Sequence, residues 1–178
     1  MYRVKDDKRV QTSVQRIFDG LDACLDSKNF NDISVSDIST AAGISRATFY
    51  RLFDSPSDIL AYICDQLVIG NVRNYLDSSI SSIHEFRIRL VDYWLDRYDL
   101  VNIILKSQRD DLLFNAVWKF SGDSTINRSG YLTPAEMDYV KAVTFALMRS
   151  ILMVYGQHGR KERADDILAL FYKVGDKL

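Results

Sequence analysis

The side chains of this chain that are best suited to chemistry are hydrogen-bond donors rather than nucleophiles or general bases. His84 and His158 are too isolated to form a metal site, and the sequence contains no Ser/His/Asp set, carboxylate pair or glycine-rich phosphate loop. Cys24 and Cys64 have no ligand partner at metal spacing, and we expect both to be buried and reduced. The sequence therefore predicts no enzyme, no metal and no cofactor. What remains is a run of hydrogen-bonding side chains between residues 45 and 51.

The composition indicates that helices position this run. The 178 residues are 47% hydrophobic and 26% charged, which is too apolar for a disordered chain. Two prolines and eight glycines leave few positions for tight turns, so an all-β fold is disfavoured and an all-α fold is expected. The net charge of -1 indicates neither a nucleic-acid nor a membrane partner. Residues 1–10 lack the apolar core of a secretory signal and no apolar run approaches the roughly 18 residues of a membrane span, so we expect a cytoplasmic protein.

Two helices are expected before the run. Apolar residues at spacings of three and four predict a first helix over residues 8–28, with one buried stripe. Ser34 and Asp37 predict the start of a second helix over residues 35–42, because the hydroxyl accepts from a free amide and the carboxylate suits the positive end of the helix.

A third helix carries the run itself. Gly43 follows the second helix and lets the chain reverse, and Ser45 is placed to cap a helix over residues 46–53. Two short helices joined by a glycine-containing turn are typical of a helix-turn-helix unit. We expect it to pack on the first helix through apolar residues of the second and third helices and their turn: Ile38, Ala41, Ile44, Phe49, Leu52 and Phe53.

The rest of the chain is predicted to be helical apart from one loop. Thr133 and Glu136 form a capping box with Pro134 at the first helical position, and the helix that follows is apolar on more than one face, so it requires two partners. Gly156 and Gly159 are expected to end it, and residues 121–132 are expected to form the loop. The predicted helices cover residues 56–77, 83–95, 98–108, 110–120, 134–155 and 163–174.

The block from Ser34 to Phe53, SVSDISTAAGISRATFYRLF, resembles the DNA-binding signature of the TetR family of bacterial regulators. The resemblance rests on the serine-capped second helix, the Ala-Gly-Ile-Ser turn and the Thr-Phe-Tyr-x-x-Phe of the third helix, and it spans about residues 8–60. It implies a three-helix DNA-binding domain over residues 1–55 and a helical ligand-binding and dimerisation domain over residues 56–178, with about nine helices in all. The later residues match the family in helix count and order only.

Physical reasoning supports DNA-contacting roles at several positions of this block. The start of the second helix of such a unit meets base edges in the major groove. The fork of Arg46 can give two parallel hydrogen bonds to guanine, worth about 1–3 kcal/mol of discrimination. Ala47 and the methyl group of Thr48 suit a thymine methyl, and Tyr50 suits a phosphate oxygen. The predicted DNA-contacting residues are Ser34, Ser45, Arg46, Ala47, Thr48, Tyr50, Arg51 and Lys8, with Lys5 and Arg9 available to phosphate or the minor groove.

Each of these assignments has an alternative. Arg46 can be a solvated surface residue, Tyr50 can be packed beside Phe49, and the residues before the first helix can be a disordered tail. Two positions also depart from the family pattern. Leu52 stands where the third helix usually carries tyrosine or histidine, and Pro56 where the fourth usually opens with a phosphate-binding lysine. Since each phosphate contact contributes about 0.9 to the salt slope, we expect weaker binding or a shallower salt dependence.

In the second domain, aromatic residues with a few polar neighbours are candidates for a ligand pocket. The predicted ligand-contacting residues are Trp94, Tyr98, Asn102, Trp118 and Arg149. The alternative is that the aromatic rings belong to the core and that Arg149, inside an apolar helix, forms an internal salt bridge.

The sequence thus predicts a regulator that binds a pseudo-palindromic double-stranded DNA operator as a homodimer, through the last two helices at about residues 134–175, with a small-molecule inducer and no membrane partner. The rival interpretation is a helical co-regulator that binds a ligand or a protein and retains its helix-turn-helix only as structure. Leu52 and Pro56 motivate that rival.

Overall fold

The computed structural model describes residues 2–4, 7–76, 82–120 and 133–175, and in these ranges the protein is all-α, as predicted. One isolated antiparallel bridge and one short 3-10 helix, Phe30–Asp32, accompany nine α-helices there. Lys5 and the predicted loop at 121–132 lie outside the described residues. The helices are α1 (Lys8–Leu25), α2 (Val35–Ala41), α3 (Arg46–Leu52), α4 (Pro56–Leu76), α5 (Ile83–Asp96), α6 (Tyr98–Lys106), α7 (Asp110–Phe120), α8 (Pro134–Gln157) and α9 (Ala164–Gly175).

The chain divides into two compact units. The first comprises Met1–Gln66 with Asn102–Leu113, and the second comprises Leu67–Val101 with Phe114–Leu178. The boundary between the two units therefore falls within α4, and most of α6 belongs to the first unit. The boundary expected after residue 55 on functional grounds stays a prediction.

The core of the first unit is built where α1 meets α2 and α3. Helix α1 buries Val14, Ile17, Phe18 and Leu21, the middle of the predicted stripe. From the helix-turn-helix, Ile38, Phe49, Leu52 and Phe53 are buried as predicted. The expectation is wrong for Ala41, which is exposed, and Ile44 is only half-buried. Helix α2 buries Ile38 and Ser39. Ala41, three residues after Ile38 and two after Ser39, lies to the side of that buried face.

Gly20 allows α1 and α2 to approach closely. A Cβ atom at this position would lie 2.8 Å from the backbone nitrogen of Ala42 and 2.9 Å from the carbonyl oxygen of Ile38. Both are backbone atoms, so a side chain at Gly20 requires the two helices to separate.

Several helix starts match local capping signals. Ser34 with Asp37, and Thr133 with Glu136, form complete capping boxes, and Pro134 occupies the first turn of α8. The cap of α1 is Asp7, whose carboxylate accepts from the backbone N–H groups of Arg9 and Val10 at 2.9 and 3.3 Å. The sequence predicted no cap for this helix, so the role of Asp7 was missed.

The second unit packs α5 against α8 and α9. Tyr93 is buried, and its hydroxyl donates to the carbonyl of Leu67 at 2.7 Å. Tyr98 is buried against Gly156, where a Cβ atom would collide with the tyrosine hydroxyl. The prediction that Gly156 ends α8 is therefore wrong: the helix continues to Gln157, and this glycine makes room for a ring. The left-handed residues Gly159 and Arg160 follow the end of the helix.

Two further sequence expectations concern thiols and membranes. Cys64 is buried, and burial raises the pKa of its thiol to about 12, whereas Cys24 is only half-buried. No described helix has both the length and the apolar character needed to cross a membrane.

Gly20→Ala is expected to lower the free energy of unfolding by about 2 kcal/mol, because overpacking against backbone costs roughly 1–3 kcal/mol. Urea unfolding followed by circular dichroism measures this change. Gly43→Ala is the matched control: a Cβ atom there meets nothing within 4 Å, but the φ of +61° is strained for alanine, so about 1 kcal/mol is expected. Wild-type stability of Gly20→Ala would contradict the close approach.

Candidate nucleic-acid interface

The turn between α2 and α3 fixes where α3 begins. Gly43 has a φ of +61°, the left-handed conformation that glycine adopts without steric cost. Across this turn the N–H of Ile44 donates to the carbonyl of Ser39 at 3.0 Å. The turn therefore closes on the last residues of α2 and delivers Ser45 in the extended conformation that a helix cap requires.

Ser45 and Thr48 complete the first turn of α3 by binding each other. The Ser45 Oγ accepts from the N–H of Thr48 at 3.1 Å and lies 3.0 Å from the Thr48 Oγ1. Both hydroxyls are thus engaged within the turn, while Arg46 and Ala47 between them are exposed. Ser45 is exposed as well, and Thr48 is half-buried.

Arg46 and Arg51 are exposed at opposite ends of α3. The ion pairs in the described part of the first unit include neither of them. Tyr50 is 45% exposed, and its ring meets that of Phe49 edge to face at 5.8 Å. Tyr50 therefore combines the two interpretations given above: one edge packs on the core residue and the rest of the side chain faces solvent.

Ser34 belongs to a polar cluster at the start of α2. Its hydroxyl donates to Asp37 Oδ2 at 2.7 Å and accepts from the N–H of Asp37 at 3.1 Å. Lys28 Nζ lies 2.7 Å from Asp37 Oδ1. The bond from Lys28, followed by those from the Ser34 backbone and hydroxyl, holds the pKa of Asp37 well below its usual range. The same contact with Asp37 raises the pKa of Lys28.

The residues that flank the start of α1 differ from the expectation of a free tail. Lys8 is the first residue of α1 and is exposed, as a phosphate contact requires. Tyr2 pairs with Phe53, and the backbone N–H of Arg3 donates to the carbonyl of Leu52 at 2.8 Å. Sequence reasoning missed Tyr2 and Arg3 because no local pattern signals a contact across some fifty residues.

The comparisons with known proteins agree with this arrangement. Residues 17–63 match the family described as "Bacterial regulatory proteins, tetR family". The N-terminal segment is a TetR-family domain. A solved structure, that of Lin0861 from Listeria innocua, superposes with a TM-score of 0.71 at 15% identity, covering 98% of this chain and 94% of that one, which shows a shared fold. No curated protein matches the sequence. A TetR-type DNA-binding domain at residues 17–63 supports a TetR-like DNA-binding regulator.

The two departures from the TetR pattern have different structural settings. Leu52 is 2% exposed and contributes to the core of the first unit. Pro56 opens α4, where Asp58 accepts from the backbone N–H groups of Asp54 and Ser55 at 3.0 and 3.2 Å. Neither Leu52 nor Pro56 has a side-chain donor for phosphate. Their effect on DNA affinity stays a prediction.

The predicted ligand-contacting residues of this TetR-like chain are distributed over both units. Trp94 and Tyr98 are buried in the second unit, Trp118 is 36% exposed, and Asn102 belongs to the first unit. Arg149 is half-buried, and its Nη1 lies 3.1 Å from the Met153 sulfur. The role of these residues in binding a ligand stays a prediction.

Asp37→Asn is expected to destabilise the chain at pH 7 by an amount that shrinks as the pH falls below about 4. A carboxyl whose pKa is lower in the folded chain than its unfolded value of about 3.9 contributes stability above that value. This stability is lost as the pH falls through the folded value, so wild type converges on the variant in acid.

Urea unfolding at a series of pH values measures this convergence. Asp32→Asn removes a neighbouring exposed carboxylate outside the cap and is the matched control. A deficit in Asp37→Asn that stays constant from pH 7 to pH 3 would exclude the ionised carboxylate as its cause.

Proposed function

We propose that the chain represses transcription by binding a pseudo-palindromic operator as a homodimer, and that a small molecule relieves the repression. The DNA-binding part of this proposal rests on one observation: α3 has a buried face and an exposed first turn. Phe49 and Leu52 are buried in the core, while Arg46 and Ala47 at the start of the same helix are exposed. A helix anchored in this way can lay its first turn in a major groove.

Within that turn, Arg46 is proposed to read sequence. Its planar fork gives two parallel bonds to the O6 and N7 of a guanine, and its exposed side chain is accessible to a base edge. Ala47 is proposed to touch a thymine methyl. Tyr50, Arg51, Ser34 and Lys8 are proposed to meet the sugar-phosphate backbone, which sets register without reading bases.

The proposed dimer rests on an apolar face of α8. Met137, Met148 and Leu152 are buried on one side of this helix. A second apolar stripe lies on the other side and is exposed: Tyr139 76%, Val140 38%, Val143 56%, Leu147 47% and Val154 46%.

The spacing of this stripe suits helix-to-helix packing. Val140, Val143, Leu147 and Val154 follow a repeat of three and four residues, the seam along which helices interdigitate. Leu170 on α9 is also 58% exposed. Large contiguous apolar surface of this kind marks an interaction site. A second copy of the chain is the proposed occupant, because a two-fold dimer presents two copies of α3 to two half-sites about 34–36 Å apart.

The proposed inducer acts by population shift. A ligand that binds better to a dimer whose recognition helices are wrongly spaced for adjacent grooves lowers DNA affinity by that difference in affinity. Trp94, Tyr98, Trp118 and Arg149, which all belong to the second unit, are the proposed contacts for such a ligand. The rival, a co-regulator that uses the helix-turn-helix only as structure, is favoured by the missing phosphate donors at Leu52 and Pro56.

Affinity selection of random duplexes by the purified protein is expected to enrich an inverted repeat. On the selected duplex, Arg46→Ala is expected to lose about 5- to 150-fold in affinity, the equivalent of 1–3 kcal/mol for a bidentate base contact. Its loss on a random duplex should be much smaller. Fluorescence anisotropy titrations at low and near-physiological salt measure both affinities.

Lys8→Ala is the matched control, since it removes one exposed cation that is proposed to meet phosphate rather than a base. It should weaken binding to both duplexes alike and reduce the salt slope by about 0.9. If both variants lost the same affinity on both duplexes, the result would contradict the base-reading role of Arg46. If no repeat were enriched and DNA binding were lost at modest salt concentration, the co-regulator interpretation would be favoured over the repressor.

Leu147→Glu is expected to convert the dimer to a monomer, because it places a charge in the middle of the exposed stripe of α8. Sedimentation equilibrium measures the mass, and circular dichroism checks that helix content is retained. Ala23→Glu introduces the same carboxylate at an exposed position of α1 and should stay dimeric. A dimer that survives Leu147→Glu unchanged would place the interface elsewhere.

A further inference from the structure

The end of α3 lacks a cap of its own. A helix leaves its last four carbonyls without intrahelical partners, and a left-handed glycine usually helps to satisfy them. Here the residue after α3 is Phe53 in an extended conformation, with φ −136° and ψ 142°. Its N–H bonds the carbonyl of Phe49, which satisfies one of the four.

Two more of these carbonyls receive donors from a residue some fifty positions earlier. The backbone N–H of Arg3 donates to the carbonyl of Leu52 at 2.8 Å, and the Arg3 Nη1 donates to the carbonyl of Tyr50 at 3.3 Å. The same Nη1 lies 2.7 Å from Asp54 Oδ1. Arg3 thus caps the end of α3 from outside the helix-turn-helix, and its charge suits the negative end of the helix.

Tyr2, next to Arg3, contacts α4. Its ring meets that of Tyr62 edge to face at 5.0 Å, and its hydroxyl donates to Asp65 Oδ2 at 2.5 Å. Burial, followed by the bond to Asp65, raises the pKa of Tyr2 to about 12, so the phenol remains a donor over the whole neutral range. The bridge between Tyr2 and Phe53 continues the attachment along the backbone. The segment Tyr2–Val4 is therefore held at both α3 and α4.

The guanidinium of Arg3 is too exposed to stabilise the fold strongly by charge. The side chains of Arg3 and Asp54 are 56% and 45% exposed, and exposed pairs contribute little. Its distinctive effect is geometric. A seven-residue helix frays easily, and any tilt at its end moves its exposed first turn.

We propose that Arg3 is a positioning residue for DNA binding, which holds α3 in the orientation that lets its first turn read bases. The proposal rests on the proposed DNA-binding function and adds a residue outside the helix-turn-helix motif. In this proposal Arg3 acts on carbonyls and on Asp54 of its own chain rather than on a phosphate. This distinguishes it from an arginine that reaches DNA directly.

The test compares Arg3→Ala with wild type and with Lys8→Ala on the selected duplex and on a random one. Arg3→Ala removes the side-chain contacts with the Tyr50 carbonyl and with Asp54 but keeps the backbone N–H that donates to Leu52. The variant is expected to bind the selected duplex about tenfold more weakly, as the loss of one or two hydrogen bonds would produce. The random duplex should be bound nearly as well as by wild type, and the salt slope on the selected duplex should not change. Hydrogen exchange of the α3 amides, measured without DNA, should accelerate in the last turn.

Two results would overturn the proposal. A salt slope reduced by about 0.9, with equal losses on both duplexes, would make Arg3 a phosphate contact. Unchanged exchange in α3 would show that Arg3 does not hold the helix. If wild type selects no duplex, the proposed function fails, but the exchange measurement still decides whether Arg3 fixes α3. Tyr2→Phe keeps the ring and removes only the bond to Asp65, so it should show a smaller acceleration of exchange than Arg3→Ala.

Discussion

A seven-residue helix does not persist in water by itself, so α3 exists only because the rest of the first unit holds it. Its core residues, Phe49 and Leu52, are buried with α1, and α1 is brought close to α2 by the missing side chain of Gly20. The turn at Gly43 then fixes where α3 starts. The candidate interface, including the exposed position of Arg46, depends on this packing. If α3 shifted relative to the core, its exposed side chains would move with it.

The second unit obeys a different constraint. Helix α8 has apolar residues on opposite sides, and a single protomer covers only one of them. Met148 and Leu152 are buried, whereas Val143 and Leu147 remain exposed. An apolar face of this extent in water favours self-association, and two-fold symmetry would pair it with the same face of a second copy. In the proposed dimer, the symmetry of the pair would set the symmetry of the operator.

Local signals predicted most of the fold, and non-local contacts account for what they missed. The caps at Ser34 and Thr133 were predictable because a hydroxyl and a carboxylate three residues apart satisfy amides of their own turn. The role of Gly156 was missed because it depends on the Tyr98 ring, far away in sequence. Arg3 was missed for the same reason. The exposure of Arg46 followed from its place in the motif, but the roles of the aromatic residues did not, because helical spacing is the same for a core and for a pocket.

Leu52 has two roles in the first unit: its side chain is buried in the core, and its main-chain carbonyl accepts from the backbone N–H of Arg3. A tyrosine or histidine side chain at this position would offer a donor to phosphate, whereas the Leu52 side chain fills the core. The side chain at this position therefore packs α3 into the core of the first unit and has no donor for phosphate. A loss of phosphate contacts lowers affinity for all sequences alike, but a better-held recognition helix favours the correct sequence over others. A chain built in this way can bind DNA less tightly overall and still discriminate between sequences, because the two properties depend on different atoms.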